Sequence, residues 1–188
     1  MSDQGSGNWQ SPPPAPPPQF QAAPPAAGPA PGVIYADLMA RIIALVIDAI
    51  IIGVLGFFVS FIASIVAGAI SGSGVIFLFV GGLVSAAVSI GYFVYTWTTM
   101  RASPGQKFLG LETVSAADGA TLTQNQAIRR WAYLWGPGAI IGIIPFLALI
   151  AWPLEFLYGL YLLYTASQSP KRQGFHDVQS GTVVVKRV

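Results

Sequence analysis

LMARIIALVIDAIIIGVLGFFVSFIASIVAGAI, residues 38–70, decides how the rest of the chain is read. From Ala49 to Ile70 it carries no charge over 22 residues. Crossing the hydrocarbon core of a bilayer takes about 20 residues at about 1.5 Å each. The stretch therefore predicts a membrane helix, entered past Arg41 and Asp48. A polar turn, Ser71-Gly72-Ser73-Gly74, follows, and Val75 to about Thr99 gives a second uncharged span. Tyr92, Tyr95 and Trp97 gather at its end, where interfacial aromatics are expected. Gly81-Gly82, Ser85, Ala86 and Ser89 offer a face on which another helix can approach closely.

Composition agrees with this beginning. Of 188 residues, 54% are hydrophobic and 9% are charged. A soluble domain carries about 25% charged residues, so much of this surface is expected to face lipid. Without cysteine, disulfides, thiolate chemistry and Cys-based zinc sites are excluded. No basic and apolar leader of the cleavable kind is visible, so the first apolar segment is expected to direct its own insertion.

Upstream, residues 1–32 hold ten of the fifteen prolines. Proline fixes φ and removes a donor, so residues 1–34 are expected to form a disordered, polyproline-type tail. The tail reads as a spacer. The alternative is that Pro12-Pro13-Pro14-Ala15-Pro16-Pro17-Pro18 docks an SH3- or WW-like groove.

Downstream, residues 100–123 form the main polar loop. Thr123 and Gln126 make a capping box that starts a helix at Gln124. The apolar stretch 131–167 falls just short of two crossings, and the turns from Gln124 make up the difference. Helices are therefore expected at about 38–70, 75–99, 124–151 and 153–168, with the last hairpin at Trp152-Pro153 and a tail over 169–188. Basic residues favour this count. Arg101, Lys107, Arg129 and Arg130 lie in or beside the loop, and Lys171, Arg172, Lys186 and Arg187 lie in the tail. Two helices before the loop and two after it put every basic cluster, and both chain ends, on the cytoplasmic side. The expected fold is an all-α membrane protein: a four-helix transmembrane bundle with a small cytoplasmic β element, formed by residues 108–114 pairing with residues 182–187.

Few residues can carry chemistry. Arg41 and Asp48 are seven apart, about 700° around a helix and about 10 Å along it, so they share a face. A carboxylate at that depth costs roughly 2.5–3.5 kcal/mol on insertion scales and needs protein or water around it. Two readings stand: a relay for an ion, proton or solute, or an interhelical anchor. Glu155 is the other membrane-level carboxylate. It is expected in the first turn of the fourth helix, where the helix dipole favours it. His176-Asp177 is read as a hydrogen-bonded structural pair, because metal ligation needs more partners. Residues 103–107 lack the GxxxxGK[ST] frame of a phosphate loop. With a single histidine, no nucleophile–base–acid set can be assembled, so neither catalysis, cofactor nor metal is expected. The basic loop and tail can also hold anionic lipid headgroups, each Lys or Arg contributing about 1 kcal/mol.

Ordered blocks of the chain resemble the RDD family of membrane proteins. Ala40-Arg41-Ile42-Ile43-Ala44 with Ile47-Asp48 is similar to its opening helix. Ser103-Pro104-Gly105-Gln106-Lys107 with Leu109-Gly110-Leu111 is similar to its PGK-type loop, although Gln106 stands where a second basic residue is common. Asp118-Gly119 and Ala127-Ile128-Arg129-Arg130 follow in order. Gly174-Phe175-His176-Asp177 and Ser180-Gly181-Thr182-Val183-Val184 resemble the closing element. The resemblance maps the family's Arg and two Asp to Arg41, Asp48 and Asp177, with Pro104, Gly105, Lys107 and His176 as further motif positions. The proline-rich leader is similar to that of actinobacterial (mycobacterial) members called proline-rich antigens. What the resemblance implies is membrane residence and a small transporter or transporter subunit, in an oligomer or with a protein partner. The alternative is a scaffold or assembly factor recruiting partners through the proline-rich arm. No nucleic-acid partner is expected.

Overall fold

A computed structural model describes residues 27–188. Most of the proline-rich tail, with its expected disorder, lies outside the described residues. Strand β1 (Val33–Tyr35) leads into helix α1 (Leu38–Ser71). Asp37 caps α1 by accepting from the Met39 N–H at 2.8 Å. At about 1.5 Å per residue its 34 residues span about 51 Å, well beyond the roughly 30 Å hydrocarbon core. Gly72 ends it with φ 66°, a left-handed position that glycine takes without strain. Ser73 then caps α2 (Gly74–Thr99), which returns along α1.

The two helices meet through small residues. Ser64 of α1 lies against Gly81, and Gly56 lies against Ser85. The buried residues of α1 are Ala44, Asp48, Gly56, Ser60 and Ser64, while Ile50, Phe57, Ile62 and Ile70 are each more than half exposed. Small and polar groups inside with large apolar groups outside inverts the soluble pattern, and suits a lipid surround.

After α2 come a short helix α3 (Pro104–Phe108), strand β2 (Leu111–Ser115) and helix α4 (Gln124–Leu134). Thr123 and Gln126 form the capping box that starts α4 at Gln124. The expected continuous helix 124–151 is corrected here. It breaks after Leu134, resumes as α5 (Gly136–Ile143), and ends there. Proline explains both events. Pro137 has no N–H for the Tyr133 carbonyl, and the Tyr158 hydroxyl donates to that carbonyl instead. Pro145 forces Ile144 to extended dihedrals, φ −88° and ψ 111°, which no helix continues through. The turn therefore falls at Ile144–Leu147 and not at Trp152-Pro153, and Pro153 lies inside α6 (Ala148–Gln168).

Helix α7 (Phe175–Ser180) and strand β3 (Thr182–Arg187) complete the described chain. The three strands form one antiparallel sheet in the order β1-β3-β2. Leu111–Ser115 pair with Lys186–Thr182, and Val33–Tyr35 pair with Arg187–Val185. The pairing foreseen for 108–114 starts at Leu111, because Phe108 closes α3 and Gly110 turns at φ 66°. β1 is an addition that the sequence reading did not contain. Because β1 precedes α1, β2 follows α2 and β3 follows α6, the sheet gathers one end of all three long helices. Among the described residues, three helices are long and apolar enough to cross a membrane: Leu38–Ser71, Gly74–Thr99 and Leu149–Gln168.

Candidate functional site

Asp48 sits about three turns into α1 and is 2% exposed. Its partners come from the loop that closes against α1. The Gly105 N–H donates to Oδ1 at 2.8 Å, the Tyr92 hydroxyl donates to the same oxygen at 3.0 Å, and the Ser103 hydroxyl donates to Oδ2. Gly105 has a steric reason to be glycine. A Cβ there would collide with the Ala44 carbonyl and stand 3.0 Å from the Asp48 carboxylate. Pro104 occupies the first turn of α3, where its missing N–H costs nothing. Gln106 turns back, accepting from the Ser103 N–H at 3.0 Å and from the Thr113 hydroxyl at 2.9 Å. Lys107 is exposed in the last turn of α3 and enters none of these bonds.

Arg41, placed beside Asp48 by helical spacing, reaches elsewhere. Its guanidinium bonds to the Asp177 carboxylate and to the Arg172 carbonyl. Arg130 of α4 bonds to the other Asp177 oxygen and to the Thr182 hydroxyl at 2.6 Å. Its guanidinium also lies 5.0 Å above the Trp97 ring. The Gly174 N–H adds a third donor to Asp177 at 2.9 Å, and His176 Nε2 stands 3.5 Å away. Asp177 is thus the hub of a buried cluster, more than the simple pair with His176 expected from the sequence. Burial alone would raise its carboxyl. Arg130 and Arg41 outweigh that and hold it well below the usual carboxylate range. Burial pushes the His176 imidazole down to about 3 against the pull of Asp177, so it is neutral at physiological pH. Two guanidiniums then share one carboxylate, leaving one positive charge in excess.

Both centres open on one cavity of about 350 Å³. Arg41, Asp48, Ser103, Arg130 and His176 line it, with Glu155 from α6. Glu155 does not occupy a first helical turn, because α6 begins at Ala148. The dipole explanation for it falls with the displaced hairpin. Its carboxylate lies against Gly138 of α5, where a Cβ would overlap it. Among the described residues no group of His, Cys, Asp or Glu could hold a metal ion.

Residues 35–181 match the RDD family. The chain belongs to that family. No curated protein and no solved structure matches it. In this RDD chain the Arg and the two Asp mapped above form two centres rather than one. Arg41 joins Asp177, and Asp48 joins the Ser103–Gly105 turn. Arg130, Tyr92 and Ser103 were not among the residues singled out as a site. The Arg129-Arg130 pair was a signal for the first, and Ser103 opens the quoted turn. Tyr92 has the sequence position of an interfacial aromatic, and nothing in the sequence ties it to Asp48.

Proposed function

We propose that this RDD protein is a multi-pass transporter, or a transporter subunit, for a small ion or solute. The observation behind this reading is the shared cavity: Arg41, Asp48, Arg130 and Glu155 all line one space in a chain with 9% charged residues. A volume near 350 Å³ is at the small end of ligand pockets, which run roughly 300–1,000 Å³. The loop around Ser103–Gly105 then acts as a plug latched to Asp48. In this reading α4 and α5 together make the fourth crossing, since the chain must travel from the sheet end to the start of α6. The distribution of basic residues supports an orientation with the sheet and both ends on the cytoplasmic face of the plasma membrane. The proline-rich leader is similar to that of actinobacterial antigen-like members, and in this reading an oligomer or partner completes a wider path.

A second reading has its own support. Three donors hold Asp48 from two other elements, which suits an anchor in a scaffold or assembly factor whose proline-rich arm recruits partners. Proteoliposomes loaded with a pH-sensitive dye and given sodium or potassium gradients separate the two. Asp48→Asn is expected to cut flux at least tenfold while the protein stays monodisperse. Unchanged flux and pH response would end the transport reading. Deleting residues 1–32 should leave a transporter working and cost a scaffold its partner.

A further inference from the structure

The cavity lies between α1 and α6, which barely touch each other. Its side walls are apolar: Leu38, Ile42 and Val46 from α1, and Phe156, Leu160 and Leu163 from α6. Gly159 lines the same space, and a Cβ built on it meets no atom within 4 Å. Glycine weakens a helix interior relative to alanine. Here no neighbouring protein atom demands it, and the room it leaves belongs to the cleft.

The two ends of the cleft differ. At the sheet end stands Arg41, whose guanidinium bonds to the Arg172 carbonyl and shares Asp177 with Arg130. One carboxylate there answers two guanidiniums. Arg172, exposed beside them, pairs with Asp37 at 3.2 Å, and its exposed neighbour Lys171 adds a further positive charge. The cavity's carboxylates do not cancel this excess. Asp48 gives its oxygens to Ser103, Gly105 and Tyr92, and Glu155 sits against Gly138 in the first half of α6, away from Arg41. Apolar walls below a cationic rim match a molecule with an anionic head and a hydrocarbon chain.

We propose that the cleft between α1 and α6 takes one acyl chain of an anionic glycerophospholipid, with its phosphate held at Arg41, Lys171 and Arg172. The inference rests on reading the cavity as a ligand site, and it names the ligand class that enters from the bilayer side.

Native mass spectrometry of the full chain in neutral detergent tests it, with phosphatidylglycerol and phosphatidylcholine titrated separately. One phosphatidylglycerol is expected to stay bound per chain, at least fivefold more tightly than phosphatidylcholine. Gly159→Phe should expel it without disturbing the fold, while Gly159→Ala keeps it. Lys171→Gln, on an exposed position that spares the buried cluster, should weaken phosphatidylglycerol by roughly fivefold, and adding Arg172→Gln, which also frees Asp37, should weaken it further, with phosphatidylcholine unchanged. Equal retention of the two lipids, or full retention by Gly159→Phe, overturns the inference. If selectivity is absent but flux still depends on Asp48, the lipid is wrong and the transport reading stands. If phosphatidylglycerol is selected and expelled as described but flux ignores Asp48→Asn, the lipid site stands and the transport reading falls.

Discussion

Asp177 concentrates more consequence than any other side chain in the described structure. Removing its charge leaves two guanidiniums together, one of them on the fully buried Arg130. Breaking a buried pair by deleting one partner costs about 3–5 kcal/mol. Asp177→Asn is therefore expected to lower stability by that amount in thermal or denaturant unfolding, and Asp177→Glu by less. His176 gives the same cluster a pH signature. Its folded value is about 3 against 6.5 for the free side chain, so between those values the unfolded chain binds a proton that the folded chain refuses. Stability is therefore flat above pH 6.5 and falls by about 1.4 kcal/mol per pH unit below it. Asp177, held down in the fold, adds a further loss only below its free value of 3.8. Amide exchange of Val183–Val185 at pH 7 and pH 5.5 reads the slope, and His176→Asn should abolish it.

At the scale of the element, the informative case is the break between α4 and α5. Pro137 frees the Tyr133 carbonyl and the Tyr158 hydroxyl takes it. Tyr158→Phe strands that carbonyl, at an expected cost of about 1–3 kcal/mol. Pro137→Ala in the same chain restores an N–H and should recover most of the loss, which a double-mutant comparison of unfolding midpoints checks. The break also explains what the sequence could and could not say. Uncharged length made α1 and α2 legible, and the Thr123–Gln126 box gave the start of α4 at Gln124. Three prolines stood in the stretch 131–167, and sequence alone does not rank them. Pro153 lies inside α6 and costs the Leu149 carbonyl its helical donor without ending the helix, whereas Pro145 acts through Ile144 and ends one. The site was legible as a set of residue types, but not as pairs. Helical spacing put Arg41 near Asp48. Asp177 comes from a separate element 136 positions away, and no local period encodes that partnership. β1, three residues directly after Pro31-Gly32, is set by its pairing with β3 more than by its own propensity.

For the whole molecule the sheet is the organising joint, since it fixes which helix ends share a side. The lack of cysteine makes orientation directly measurable. Ser71→Cys, at the exposed α1–α2 turn, is expected to react with an impermeant maleimide added to intact cells. Gln179→Cys, exposed on α7, should react only after permeabilisation. The reverse pattern would invert the proposed orientation, and labelling of both from outside would remove the shared side of the sheet and loop.

The separations along the chain also impose a timetable on synthesis. Asp48 waits 55 residues for Ser103, whereas Arg41 waits 136 for Asp177. At about 5–20 residues per second, the ribosome supplies the first partner roughly 3–11 s after Asp48 and the second roughly 7–27 s after Arg41. The central strand β3 is translated after both of its neighbours, so β1 and β2 emerge with nothing to pair with. During that interval the arginine stays tolerable because, four residues into α1, it can rest among headgroups until the aspartate arrives.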